Sequence, residues 1–401
     1  MIISEMFRSN LSPADFLSGV LEVGEETTSG ERVSAETSKN VATAYRCIDV
    51  LSSDIAKLPL QVFSSPAQGN IQRVKPSSQQ QNIAWMTERK PNRWMGPFKF
   101  KKMVVGWQLT HGAGYIWQPP RRAGNPREMF VLPSDRTFPI FDESGNLWYQ
   151  TTFASGETVM LPDVEVLTLL INSVDGISGR GVITYARETL GRQLGGYKTQ
   201  GKIYRQGLSA GGIIWMSGEL NKDARKKVRE AYAESMTGSE NAYGLAVMDS
   251  KVSKFEQITL KAVDMQFLES LQENDTQIAN FFGVPLYKLN LGKQSYQSNE
   301  QQNIDYLNTT LDPYLVQWEE EAYLKWLTEV EQDTVYFRFN RDALLRMTAE
   351  SRANTLGKRI ETGQLSPNEA RQIEDMSAYT GGDTRYRPSN WTPIGAQAPT
   401  V

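Results

Sequence analysis

Apolar positions recur at helical spacing over Val41–Lys57 and Pro97–His111, and over two long segments, Tyr185 to about Gln206 and Asp264–Phe282. The first segment ends at Leu58-Pro59-Leu60, where the proline disfavours helix in the residue before it and sends the chain onward extended. Leu60-Gln61-Val62-Phe63 then alternates in the manner of a half-buried strand. Residues 64–81 read as a loop, and Pro91-Asn92-Arg93-Trp94-Met95 as a turn.

From Gly114 to Leu170 the pattern changes to short aromatic and β-branched runs cut by Gly, Pro and Asp. These are Tyr115-Ile116-Trp117, Met129-Phe130-Val131-Leu132, Leu147-Trp148-Tyr149 and Val166–Leu170. They predict a twisted antiparallel sheet covered by helices, so the fold class is α+β. Gly176–Gly181 breaks the chain ahead of the first long helix. A small strand–helix–strand unit follows, with strands at Ile213-Ile214-Trp215, Leu245–Met248 and Lys254-Phe255-Glu256 and a helix over Glu219–Met236. Val335–Phe339 reads as a returning strand, and Arg341–Met376 as two helices broken at Thr362–Pro367. Residues 1–40 are polar and read as a mobile arm; residues 377–401, rich in Pro, Gly and Thr, read as a flexible tail.

A chain of 401 residues can bury more than one core. With 39% hydrophobic and 22% charged residues it belongs with folded rather than disordered sequences. No apolar run is long enough for a membrane span, and the N-terminal residues lack the features of a signal peptide. The single cysteine and single histidine exclude an intrachain disulfide, a Cys/His zinc site and the two-histidine metalloprotease motif. Cys47 sits in a helical run and reads as a small buried hydrophobe, and His111 as a structural histidine.

Catalytic vocabulary is scarce. Gly292-Lys293-Gln294-Ser295 looks like the end of a phosphate-binding loop, but Tyr287 and Gln294 occupy positions where that loop needs Gly and Ser or Thr. Glu319-Glu320-Glu321 are consecutive helical positions, which splay around the axis and read as a solvated face. No catalytic residue, metal or cofactor is expected. The net charge of −3 argues against a protein that coats DNA through many Lys and Arg contacts, but not against one past which DNA slides.

The two long helices are opposite in charge. Arg187, Arg192, Lys198, Lys202 and Arg205 stand on the first, beside an apolar stripe of Leu190, Leu194, Tyr197 and Tyr204. Asp264, Glu269, Glu273 and Asp275 stand on the second, whose apolar face is Val263, Phe267, Leu271 and Ile278. An antiparallel pair is expected, with these charges meeting within the subunit or across to a neighbour. Ordinary solvated helices, whose exposed ion pairs contribute well under about 1 kcal/mol each, fit the same pattern. Gly191, Gly195, Gly196 and Gly201 each cost the first helix roughly 1 kcal/mol relative to Ala, which points to the close approach of another helix or to a shorter element. Between Lys293 and Asn303 lies a polar insert rich in amides and hydroxyls. It could touch a phosphate backbone weakly, and a plain surface loop fits equally well.

The order of segments resembles the portal proteins of tailed bacteriophages, in the siphophage branch. The resemblance rests first on Phe281-Phe282-Gly283-Val284-Pro285-Leu286-Tyr287-Lys288-Leu289, the polar insert, and Thr310-Leu311-Asp312-Pro313-Tyr314 leading to Trp318-Glu319-Glu320-Glu321. Lys57–Phe63, Lys90-Pro91-Asn92, His111–Tyr115, Gly176–Ile183, Gly238–Ala242, Ser351-Arg352-Ala353, Asn368–Arg371 and Gly381-Gly382-Asp383 follow in the family's order. Ala113-Gly114 and Arg180-Gly181 depart from its pattern.

The resemblance implies a ring of twelve subunits at one capsid vertex, with DNA passing through its centre. It implies a wing over 41–184 closed by a return strand at 334–340, a stem of helices 185–207 and 261–283, and a β-α-β clip over 208–260. The tunnel loop and tunnel helix would span 284–333, and a helical crown 341–376. Lys293, Gln294, Ser295, Tyr296, Gln297, Ser298 and Asn299 would face DNA. Lys222, Arg225, Lys226, Lys227 and Arg229 would face the terminase large subunit and later a head-completion or adaptor protein. Arg192, Lys198, Lys202, Arg205, Asp264, Glu269 and Glu273 would pair between stem helices or subunits. Further expected partners are the major capsid or scaffolding protein and other copies of the chain, with no membrane and a location in the virion after assembly in the host cytoplasm. Another ring-forming virion adaptor, or an enzyme with an unmarked carboxylate site, are the alternatives.

Overall fold

Helix α1 (Ala42–Lys57) begins where Val41 leaves a short 3-10 turn, and ends at extended Leu58 ahead of Pro59. In the computed structural model the described residues are 26–65, 71–77, 83–120, 128–205, 212–216, 222–223, 226, 252–257, 263–291, 299–343, 349–374 and 376–385. Helix α1 is followed by β1 (Leu60–Ser64), the short β2 (Gln72–Arg73) inside the expected loop, and α2 (Ile83–Glu88). Helix α3 spans Pro97–His111, with proline at its first turn and Gly112 at φ 89° closing it in the left-handed conformation.

Strands β3 (Ala113–Trp117), β4 (Phe130–Leu132), β5 (Thr137–Phe141), β6 (Leu147–Thr152), β7 (Thr158–Pro162) and β8 (Val166–Leu170) follow. The helix α4 (Val182–Arg205) leads to β9 (Gly212–Met216) and β10 (Val252–Gln257), which pair antiparallel. Helix α5 (Val263–Phe281) precedes α6 (Asn299–Tyr306), a π-helical turn (Leu307–Leu311), α7 (Asp312–Trp326), α8 (Glu329–Gln332) and β11 (Val335–Phe339). Helices α9 (Ala349–Glu361) and α10 (Pro367–Ile373) complete the order.

The predicted single sheet is instead several small antiparallel ones, ordered β11-β1-β2, β4-β3-β8 and β5-β6-β7. Strands β5 and β7 escape the sequence reading because Pro139 interrupts one and Pro162 ends the other. Proline is tolerated here because both are edge strands, with no ladder to feed on the outer side. Tyr115 and Tyr149 join two of these sheets through rings 5.5 Å apart, inside a core with Ala113, Leu132, Leu161 and Val166. Helix α7 covers β11, setting Trp318 against Phe339 and Trp326 against Phe337 in edge-on contacts.

Contacts divide the chain into two units: residues 1–297 with 305–340, and residues 298–304 with 341–401. In the second, Ser366 and Glu369 form a capping box that starts α10, and the Asn368 amide donates to Tyr379 O and Asp383.

Candidate functional site

Helices α4 and α5 pack as the antiparallel pair that their apolar stripes predict. Leu190, Ile278 and Ala279 are fully buried, and the polar contacts run in opposite chain directions, Gln193 to Asp275 and Thr189 to Gln277. The pair is anchored at one carboxylate oxygen. Asp275 Oδ1 accepts from Thr43 Oγ1 on α1 at 2.5 Å and from Gln193 Nε2 on α4 at 3.2 Å. Cys47, buried in the same place, is inert: burial first and the Asp275 charge second push its thiol up to about 12.

Within the chain, Arg192 and Lys198 of α4 find partners other than the acids of α5. Arg192 donates to Gln277 Oε1 and Thr189, Glu273 accepts from Gln277, and Lys198 pairs with Glu31 at 2.5 Å. Glu269 is exposed. Lys202, Arg205 and Asp264 lie on the helices, with side chains outside the described residues.

Glu31 belongs to the segment expected to be a mobile arm, and over residues 26–40 that expectation fails. A turn closed by the Glu26–Arg32 bridge lies along α4, with Thr28 donating to Glu188 by both its amide and its hydroxyl. Two of the α4 glycines, Gly191 and Gly195, lie against this arm, while Gly201 has nothing within 4 Å. A Cβ at Gly191 would come within 2.4 Å of Thr27 Oγ1, and one at Gly195 would sit 3.7 Å from Ser29 and Glu31.

The polar insert itself, Lys293, Gln294, Ser295, Tyr296, Gln297 and Ser298, falls outside the described residues, while Asn299 begins α6. Its two flanks meet around the buried Tyr306 and Asp54. Tyr306 Oη donates to Asp54 Oδ2 at 3.4 Å, Lys57 pairs with Asp54 at 2.8 Å, and the Lys288 ammonium stands 4.6 Å from the Tyr306 ring centre. Burial, reinforced by the Asp54 charge, raises the Tyr306 phenol well above its ordinary value. Burial also lowers Lys288, which the attraction of Asp54 opposes. The π-helical turn begins at the next residue, and Thr310 on it donates to Gly283 O. Helical residues run from Asn299 to Trp326 with this π-helical turn among them, a feature with no signature in the amino-acid pattern.

Of the basic residues placed on the β9–β10 unit, Lys222 and Lys226 are helical and exposed; Arg225, Lys227 and Arg229 fall outside the described residues, as does the strand expected at Leu245–Met248. Among the described residues no group of His, Cys, Asp and Glu could hold a metal ion, and no helix is long and apolar enough to cross a membrane.

A family model for phage portal proteins matches residues 42–375. The chain belongs to the phage portal protein family. It is 24% identical over 378 residues to the portal protein of Enterobacteria phage HK97, covering 93% of this chain and 86% of that one. Among solved structures it resembles a chain from the virion of a native gene transfer agent particle, with a TM-score of 0.56 at 18% identity over 86% of this chain and 92% of the other. It also resembles an HK97 family phage portal protein from Corynebacterium diphtheriae, with a TM-score of 0.54 at 14% identity over 78% of this chain and 96% of that one. These likenesses establish the fold. The junction of Thr43, Gln193 and Asp275 escaped sequence reasoning, because its members stand 82 and 232 residues apart and no local pattern links them.

Proposed function

We propose that this portal-family chain is the subunit of a closed ring at one capsid vertex, through which double-stranded DNA is packaged by a terminase and later ejected. The match of a portal family model to residues 42–375 carries this reading. Solved relatives from gene transfer agent necks, one computed with C12 and one with C6 symmetry, support a cyclic assembly. The ring is a structural channel without turnover of its own, located in the virion after assembly in the host cytoplasm.

In this reading residues 41–184 with 334–340 are the wing, 185–207 and 261–283 the stem, 208–260 the clip, 284–333 the tunnel loop and tunnel helix, and 341–376 the crown. Residues 293–299 face DNA through amides and hydroxyls. That chemistry, with a net charge of −3, lets a polyanion slide where a basic lining would hold it. Lys222, Arg225, Lys226, Lys227 and Arg229 dock the terminase large subunit and then an adaptor protein, and the outer surface meets capsid or scaffolding protein.

The native mass of the purified chain, with negative-stain images, tests the assembly. A particle of about twelve 45.2 kDa subunits with an axial hole is expected. A compact dimer without a hole, even when co-expressed with capsid and scaffolding proteins, overturns the ring. Deleting residues 294–299 should block packaging while rings still form; loss of the ring itself would sink the tunnel-loop assignment. Reversing the charges of Lys226 and Lys227 should weaken terminase binding, and unchanged binding would remove the clip assignment.

A further inference from the structure

Strand β11 is the outer strand of its sheet, and its free side opens onto a groove walled by α7. At the two ends of its ladder with β1, Ser65 N–H donates to Thr334 O and Asn340 N–H to Pro59 O. Between them Phe63 faces Tyr336 and Gln61 faces Arg338. Antiparallel alternation then turns the N–H and C=O groups of Val335, Phe337 and Phe339 away from β1. Phe339 N–H donates to Glu319 Oε1 at 2.7 Å. Among the described residues no strand stands opposite Val335 and Phe337.

The groove beside this edge has a volume of about 380 Å³ and is lined by Glu319, Glu320, Tyr323, Leu324, Tyr336 and Phe337. Leu324 is 59% exposed, and nearby Val330 is 81% exposed. Glu319 and Glu320 line the groove, and Glu329, Glu331 and Asp333 follow on and after α8, which touches β11; Lys325 is held by Asp163 at 2.5 Å, and Arg338 stands 5.6 Å from the Tyr336 ring centre. Folded proteins ordinarily blunt an edge strand with charged side chains, proline or a covering helix or loop. Here Arg338 is the one charge on β11, there is no proline, and α7 takes up the Phe339 amide through Glu319 while Val335 and Phe337 face no strand among the described residues.

We propose that the β11 edge binds an extended basic segment of a partner polypeptide by strand addition. The segment's main chain pairs with Val335 and Phe337, an apolar side chain covers Leu324, and its Lys or Arg side chains face Glu320 and the acids of α8. The site stands independently of the ring reading.

A fluorescein-labelled peptide of alternating lysine and valine, titrated against the full chain by fluorescence anisotropy, tests this. Saturable binding is expected, and a matching glutamate–valine peptide should not bind. N-methylation of alternate peptide residues should weaken binding about tenfold, because it removes main-chain donors but no charge. Glu320→Lys should weaken it by a similar factor. So should Val335→Pro, which removes an outward donor and no bond to β1; circular dichroism establishes that both variants are folded. Absence of saturable binding overturns the proposal, as does equal affinity for the N-methylated peptide. If the variants instead lower the native mass of the chain while peptide affinity is unchanged, the edge is a contact between copies and the proposal fails.

Discussion

Thr43 on α1 donates a 2.5 Å hydrogen bond to Asp275 on α5, joining residues 232 apart in sequence. The same oxygen accepts from Gln193, whose side chain is 1% exposed and whose own Oε1 has no hydrogen-bond partner. One carboxylate thus ties a helix of the first unit's core to both long helices. Its loss strands buried donors.

Asp275→Ala should therefore lower the unfolding free energy by about 1–3 kcal/mol, the cost of leaving buried donors without an acceptor. Asp275→Asn, which keeps one acceptor oxygen, should lose less. Chemical denaturation checks both, and an unchanged midpoint for the alanine variant would show that the junction contributes nothing.

Gly191→Val should displace the arm. The added carbon would meet Thr27 atoms at 2.4–2.8 Å, and Thr27 is itself buried. The expected result is faster proteolytic removal of residues 1–40, with stability reduced by about 1–3 kcal/mol. Thr27→Gly in the same chain should restore part of the protection.

Gly179→Ala should be more damaging, because its neighbours are backbone. A Cβ there would stand 1.9 Å from Gly112 O and 2.9 Å from Ile171 O, and Gly112 is already fixed at φ 89°. We expect a loss above about 4 kcal/mol, seen as insoluble expression. Gly176→Ala is the matched control: nothing lies within 4 Å, and only its φ of 75° opposes the change.

Stability should rise with pH above neutrality. Lys101 is 4% exposed, donates to Leu58 O and sits 5.6 Å from the Phe339 ring centre. Burial lowers its amine from 10.5 to about 7, opposed by the Glu88 charge. Between those values the unfolded chain binds the proton that the folded chain has released. Unfolding free energy then climbs with pH by up to about 1.4 kcal/mol per unit, and below 7 this contribution is flat. Urea titrations at about pH 6.5 and about pH 9 measure the slope. Lys101→Met should remove it, and a wild-type slope in that variant would assign the effect to another group.

Elements whose signals are local were legible. Helix α3 was read at its observed limits because Pro97 opens it and Gly112 closes it; β8 and β11 were read because their apolar runs stand between turn residues. The resemblance to portal proteins was legible for a related reason: it rests on short motifs in a fixed order, which the family match over 42–375 bears out. The contact of Lys198 within the chain was not legible: it binds Glu31, because Gly191 and Gly195 of α4 admit the arm closely enough to bring that carboxylate within reach.

The sequence by itself determined the limits of α3, β8 and β11, the amphipathic faces of the two long helices, and the resemblance to the portal family. All of these follow from periodicity, capping residues and motif order along the chain. Only the tertiary structure decided that the strands part into separate small sheets, that residues 26–40 lie on α4, and that a π-helical turn follows Tyr306. It alone brought Thr43, Gln193 and Asp275 to one oxygen. These depend on contacts between residues distant in sequence, where packing geometry selects among partners that local pattern leaves equivalent.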